Sequence, residues 1–173
     1  NPKGEEVAGR RSYASLEEVD KPLDLALIAT PAESIPGILE QCGTKGVRMA
    51  VIYSAGFAED DEAGAHLQDR VVETARRHHI RVLGPNTMGM LRPQNRLNAT
   101  SGVTTKAVSG NVALVSQSGA VCSAMLDWSV PRHIGFSSMI SLGAAADVDF
   151  GDVLDFLALD AHTQCILLYV EGI

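Results

Sequence analysis

The sequence predicts an α/β protein built on parallel sheets, and three observations carry that prediction. Short apolar runs of strand length alternate with helical patterns along the whole chain. The runs are continuous, without a polar residue at every second position, which is the pattern of strands covered on both faces. Each run also ends in small, hydroxyl-bearing or glycine residues, the place where open parallel sheets collect their ligands.

Taken in order, Ser15-Leu16-Glu17-Glu18 fits a capping box and predicts a short first helix. The strands follow at Leu25 to Thr30, Val47 to Tyr53, Ile80 to Leu83, Val112 to Ser116, Phe136 to Leu142 and Cys165 to Val170. Helical patterns lie between them at Ala32 to Cys42, Asp60 to His79, Ala120 to Val130 and Phe150 to Leu159. From Arg92 to Gly110 the chain is polar, rich in Asn, Thr, Ser and Gly, and has no helical period. A domain boundary is expected there, near residue 105, dividing the chain into 1–104 and 105–173. Asn1-Pro2-Lys3-Gly4 is loop chemistry without an initiator Met, and Glu171-Gly172-Ile173 follows a strand directly, so the chain reads as a segment of a longer polypeptide.

Composition narrows the function. The 173 residues are 46% apolar, ample for a core, and carry a formal charge of −7 with no long basic run, which argues against a nucleic-acid surface. An anionic ligand must then be held by local geometry and not by the overall field. Cys42, Cys122 and Cys165 stand far apart with no C-x-x-C spacing, so neither a disulfide framework nor a zinc site is expected, and a reducing cytoplasm is the default. No apolar run approaches a membrane span, and no signal peptide is visible.

The most informative stretch is Asn111 to Val121, NVALVSQSGAV. A strand that breaks at Ser116-Gln117-Ser118-Gly119 and opens a helix aims free backbone N–H groups and the positive end of the helix dipole at one point, which suits a phosphate. An ordinary turn capped by Ser118 is the alternative. A nucleophile elbow would need glycines at 116 and 120, where Ser116 and Ala120 stand. Gly119 is expected to be needed because a phosphate on the backbone leaves no room for a Cβ. The other strand ends are Thr30-Pro31-Ala32, Tyr53-Ser54-Ala55-Gly56-Phe57, Gly84-Pro85-Asn86-Thr87-Met88-Gly89, Gly143 and Glu171-Gly172. Together they favour a nucleotide-like or phosphorylated ligand. Gly84-Pro85-Asn86 also reads as a rigid structural turn, since Pro85 keeps Gly84 out of the helical region. Glu171 ends an apolar strand, where an unpaired carboxylate is costly to bury without a task. Asp147, Asp149 and Asp152 are expected to serve the N-terminus of the following helix, not a metal. His78-His79 is expected at an exposed helix end, and Trp128 on a packed helix face.

These turns, in this order, resemble the NDP-forming acyl-CoA synthetase family, which includes ADP-forming acetyl-CoA synthetase and the α subunit of succinyl-CoA synthetase. The matching segments are Asn1 to Gly4, Tyr53 to Phe57, Val82 to Asn86, Leu97 to Thr100, Gly110 to Val121, Gly135 to Ser137, Ala146 to Phe150 and Tyr169 to Gly172. The resemblance implies two parallel-sheet lobes, both incomplete in this segment: a CoA-binding Rossmann-like domain lacking its first βα unit, then the first part of a flavodoxin-like ligase domain. It implies an acid–thiol ligase that makes acyl-CoA from a small carboxylic acid, ATP and CoA through an acyl phosphate and a phosphohistidine. ATP or ADP with Mg would sit on an ATP-grasp domain or subunit outside this segment.

The same resemblance implies that Lys3 meets a phosphate of CoA, that Tyr53, Ser54 and Ala55 line the CoA groove, and that Gly84-Pro85-Asn86 shapes it near the thiol. Ser118 and Gly119 would hold the transferring phosphate, and Glu171 would orient a histidine located beyond Ile173. His66, His78, His79, His133 and His162 are therefore not that histidine. Two departures stand out: Thr87 replaces a Cys found in many relatives, and Ala144-Ala145-Ala146 replaces more polar residues. Met125 to Trp128, followed by Gly135 to Ser137, also resembles members fused to a GNAT acetyltransferase, which makes an acyl-CoA sensing half of a lysine acetyltransferase the alternative. A flavodoxin-like or NAD-binding protein without ligase chemistry would need a G-x-G-x-x-G turn, which the sequence lacks.

Overall fold

A computed structural model describes residues 5–103 and 106–172. Two sheets share the chain. The first has three parallel strands, β1 (Leu25–Ile28), β2 (Met49–Ile52) and β3 (Arg81–Leu83), in that order. The crossovers between them are α1 (Ile35–Thr44) and α2 (Glu62–Arg77). Alternate residues divide the two faces of this sheet, as strand geometry requires. Ile28, Ala50, Ile52 and Val82 pack with Ile35 and Leu39 of α1 and Val71 and Ala75 of α2.

The second sheet is mixed, which the runs alone did not predict. A hairpin runs into the polar interval that begins at Arg92, with strands β4 (Gly89–Arg92) and β5 (Leu97–Thr100) turned at Arg96 with a φ of 54°. β4 pairs antiparallel with β7 (Phe136–Ser141), and the order is β5-β4-β7-β6-β8, where β6 is Ser109–Ser116 and β8 is Cys165–Tyr169. Strand pairing thus passes to the second sheet between Leu83 and Gly89, ahead of the expected boundary near 105. Arg92, Gln94 and Asn98 are the polar residues that hid the hairpin.

Helix α3 (Gly119–Ser129) covers one face of this sheet, where Cys122 and Leu126 meet Leu91, Leu114, Phe136 and Met139. On the other face Ala113, Val115, Ile140 and Leu142 pack with Val153 and Leu157 of α4 (Phe150–Ala158) and with Val51 and Leu83 of the first sheet. The two sheets therefore share a core. No helix among the described residues is long and apolar enough to cross a membrane.

Several local expectations change. Ser15 makes no side-chain cap, and only a single turn, Leu16–Glu18, forms there, because Glu18 reaches past it to the Ala14 N–H. Trp128 is 47% exposed and lies against the Arg132 guanidinium, 4.5 Å from the ring centre, instead of packing into the core. His79 is exposed at the end of α2, whereas the His78 ring packs over Gly43 and bonds Glu40 at 2.5 Å.

The acidic cluster splits. Asp149 caps α4 by accepting from Asp152 N at 3.0 Å, and Asp152 returns the bond to Asp149 N. Asp147 instead accepts from Val82 N at 2.7 Å and Arg81 Nε at 3.0 Å, while Arg81 Nη2 donates to Asp152 at 2.7 Å. No group of three or more His, Cys, Asp or Glu side chains among the described residues is arranged to hold a metal.

Asp149→Ala is expected to lower stability by about 1 kcal/mol, the usual worth of an N-cap, read as a lower urea midpoint at unchanged slope. The Arg81 hydrogen bond holds the Asp152 carboxyl below its ordinary range. That stability is complete above the unfolded carboxylate pKa of about 4 and is lost as the pH falls through the depressed folded value. Arg81→Gln should flatten this acid limb of the stability curve, and an unchanged limb would remove the pair from the account.

Candidate functional site

The carboxyl ends of both sheets converge on the segment Gly84 to Gly89. In the first sheet, Ser54 Oγ donates to Thr30 O at 2.5 Å, Ser34 Oγ donates to Thr30 Oγ1 at 3.0 Å, and Asn86 N donates to Ser54 O at 2.9 Å. Three loops, after β1, β2 and β3, are thereby tied in a row. Gly84 has a φ of 104° and Asn86 one of 54°, so the turn doubles back within three residues. Gly84 and Pro85 are buried while Asn86 is exposed. Tyr53, Ser54 and Gly84-Pro85-Asn86 are brought together as expected from sequence, with Ala55 exposed beside them. The Tyr53 ring lies over Gly89, and its hydroxyl is buried with no hydrogen-bond partner among the described residues. Burial pushes the phenol pKa up, which keeps it a neutral donor.

In the second sheet, β6 delivers Ser116 into a turn that its own hydroxyl closes, accepting from Ser118 N at 3.0 Å and donating to Ser118 O at 2.9 Å. Ser118 then caps α3, its Oγ accepting from Val121 N at 3.4 Å. Gly119 and Ala120, the first residues of α3, precede the intrahelical ladder, so their N–H groups face outward from a helix start. Sequence reasoning missed the role of Gln117. Its Oε1 accepts from Glu171 N at 2.6 Å and Gly172 N at 3.1 Å, and its Nε2 donates to Gly172 O at 3.0 Å. One side chain thus fastens the end of β8 beside the start of α3.

Two further observations bear on this turn. Glu171 is exposed in this segment, as are Leu167, Leu168 and Tyr169 of β8 and Val170 after it. Its backbone is held beside the start of α3 by Gln117. A Cβ on Gly119 would sit 3.1 Å from Met88 Cβ and 3.7 Å from Met88 N and Ser141 Oγ. A Cβ there would require Met88 to give by a few tenths of an ångström, so close packing against Met88 also favours a small residue at this position.

Lys3 lies outside the described residues. Cys42 and Cys122 are buried, and burial pushes the Cys122 thiol up to about 11, which leaves it unreactive at neutral pH. Two cavities lie elsewhere. One of about 470 Å³ opens between the β4–β5 hairpin and Lys106 to Ser109, and one of about 350 Å³ lies between α1 and α2. Neither is lined by the residues that follow the carboxyl ends of β1, β2, β3 or β6.

Residues 1–93 match the model of a CoA binding domain, and residues 109–173 match that of a succinyl-CoA ligase like flavodoxin domain. The chain is 42% identical over 170 residues to the acetate–CoA ligase (ADP-forming) I subunit alpha of Pyrococcus furiosus, covering 97% of this chain and 37% of that protein. It superposes with a TM-score of 0.95 and 40% identity on a solved structure from Pyrococcus horikoshii OT3, of which it covers 39%. A TM-score of 0.92 at 40% identity relates it to the dinucleotide forming acetyl-coenzyme A synthetase 1 of Ca. Korarchaeum cryptofilum, solved in complex with phosphate and ADP, 37% of which is covered. The chain spans under two fifths of the length of these relatives. By its two matched domains and its likeness across essentially the whole sequence, it belongs to the NDP-forming acyl-CoA synthetase family.

Proposed function

We propose that this chain is the CoA-binding and phosphoryl-handling part of an ADP-forming acyl-CoA synthetase. The observation that carries the reading is the meeting of the Gly84-Pro85-Asn86 turn, the Ser118-Gly119 helix start and Glu171 on one side of the molecule, the last two joined by Gln117. A CoA-binding unit at 1–104 and a ligase unit at 105–173 fit the two matched families. In the overall reaction a carboxylate, ATP and CoA give acyl-CoA, ADP and phosphate. ATP would phosphorylate a histidine elsewhere in the protein, leaving ADP; the carboxylate would take the phosphoryl group from that histidine to form an acyl phosphate, and the CoA thiol would then displace phosphate as the thioester forms. ATP or ADP with Mg would be held by an ATP-grasp domain or subunit, and the whole would work in the cytoplasm.

Within this chain, Tyr53, Ser54 and Ala55 with Gly84-Pro85-Asn86 would line the CoA groove, and the partnerless Tyr53 hydroxyl is a donor in reserve for a ligand oxygen. The outward N–H groups at the start of α3 and its dipole suit a phosphoryl group in a protein whose net charge gives no help. Glu171, exposed beside that helix start, would accept a hydrogen bond from one imidazole nitrogen and aim the other at the phosphorus. Lys3 would contact a CoA phosphate. The alternative, an acyl-CoA sensing half of a lysine acetyltransferase, would keep the groove and dispense with phosphorylation.

In the full-length protein, Glu171→Gln should slow phosphohistidine formation by roughly ten- to a thousandfold, about 1.4 to 4 kcal/mol in barrier, with CoA affinity near that of the parent. Single-turnover phosphorylation with labelled ATP reads this. A Gln variant at the parental rate would make Glu171 an ordinary strand-end residue and favour the sensor. Lys3→Ala should weaken CoA by about 1.5 to 3 kcal/mol if it makes a charge-assisted phosphate contact. Titration of CoA and dephospho-CoA checks it, and equal affinities of both proteins for both ligands would take Lys3 out of the site.

A further inference from the structure

Thr87, which follows the Gly84-Pro85-Asn86 turn, is 4% exposed and leaves almost nothing of itself for a ligand to touch. Its hydroxyl is nevertheless fully engaged, donating to the Ser141 carbonyl at the end of β7 and accepting from Gly89 N at 2.9 Å. Met88, the next residue, donates its N–H to Ser141 Oγ at 3.2 Å. Its side chain then reaches α3, where the Ser123 hydroxyl donates to Met88 Sδ at 3.2 Å. Met88 Cβ lies only 3.1 Å from where a Gly119 Cβ would stand.

A continuous path therefore runs from the Gly84-Pro85-Asn86 turn through Thr87 and Met88 to the first residue of α3. On its far side Ser141 anchors both. The path is stiff: Gly84 has no room for a Cβ, which would meet Ile52 O at 2.7 Å and Thr87 Cγ2 at 2.9 Å. A shift of the turn by a few tenths of an ångström must be taken up by Met88, and hence at Gly119, because packed groups of this kind move together.

We propose that Thr87 and Ser141 are positioning residues that couple occupancy of the CoA groove to the phosphate-holding start of α3, with Met88 as the transmitting side chain. Neither residue contacts ligand. The coupling would align the two reactants of the thioester-forming step, the thiol and the acyl phosphate, only when both are present. The inference rests on the proposed function, since it needs CoA and phosphate at these two places.

The test is the reciprocal effect of inorganic phosphate on CoA binding in the full-length protein, measured by calorimetry for the parent, Thr87→Val, Thr87→Ser and Ser141→Ala. In the parent, saturating phosphate should change the CoA dissociation constant by about five- to a hundredfold, the usual range for coupled sites, and CoA should change the phosphate constant by the same factor. Thr87→Val, which keeps the shape and removes the hydroxyl, should bring that factor close to one while each ligand alone still binds within about threefold of the parent. Ser141→Ala, which spares the Thr87 hydroxyl, should reduce it in the same direction, and Thr87→Ser should retain it. A merely structural hydroxyl would weaken both ligands and leave the factor intact. Parental coupling in Thr87→Val, or in Ser141→Ala should the Val variant fail to fold, would overturn the proposal. So would a parent that binds both ligands without coupling. A parent that binds no CoA at all would instead reject the functional reading beneath it.

Discussion

The arrangement depends on one backbone contact, the run of hydrogen bonds between the segment after β7 and the edge of the first sheet. Ala144 N donates to Pro85 O at 2.9 Å, Ala146 N to Gly84 O at 3.1 Å and Val148 N to Val82 O at 3.1 Å. Asp147 extends the contact by taking the Val82 N–H and Arg81. The edge of β3, which would otherwise expose unpaired backbone groups, is thereby closed. Gly143 permits the approach, since a Cβ there would lie 2.3 Å from Pro85 O. The seam gives the two sheets a register that apolar contact alone does not fix, and it helps to keep the turns at Gly84 and Gly119 in one relative position.

From that seam the remaining features follow in physical order. The shared core of Val51, Leu83, Val115, Leu142 and Val153 supplies the non-directional part of the attachment. The hydrogen bonds of Thr87, Met88 and Ser141 supply the directional part. Gln117 repeats the device on the other side by holding Glu171 and Gly172 at the same helix start. In both places a polar side chain binds the backbone of a distant loop, the use of buried polar groups that fixes geometry more than it adds stability.

The strands buried on both faces were legible as unbroken apolar runs, and Ser118 was legible as a cap from residue type and spacing. The β4–β5 hairpin was not, because Gly89 to Arg92 and Leu97 to Thr100 are short, half-buried and interrupted by polar residues, and their turn rests on Arg96 where a glycine would have signalled it. The run Cys165 to Val170 announced the strand β8, and Glu171 follows it, held beside the start of α3 by Gln117. Gln117, Thr87 and Ser141 left no local signal of their roles. Their partners lie more than fifty residues away in the chain, and a Gln or Thr beside a glycine turn has many other reasons to be there.

The most direct measurement of the central claim is amide hydrogen exchange of the full-length protein with and without CoA. If the strand ends of both sheets form one site tied by the seam, CoA will protect Tyr53 to Ala55 and Gly84 to Gly89, and protection will extend to Gly119 to Cys122 and to Ala144 to Val148. Protection confined to the cavity beside the β4–β5 hairpin or to the α1–α2 groove, with the seam and the start of α3 exchanging at unchanged rates, would contradict it.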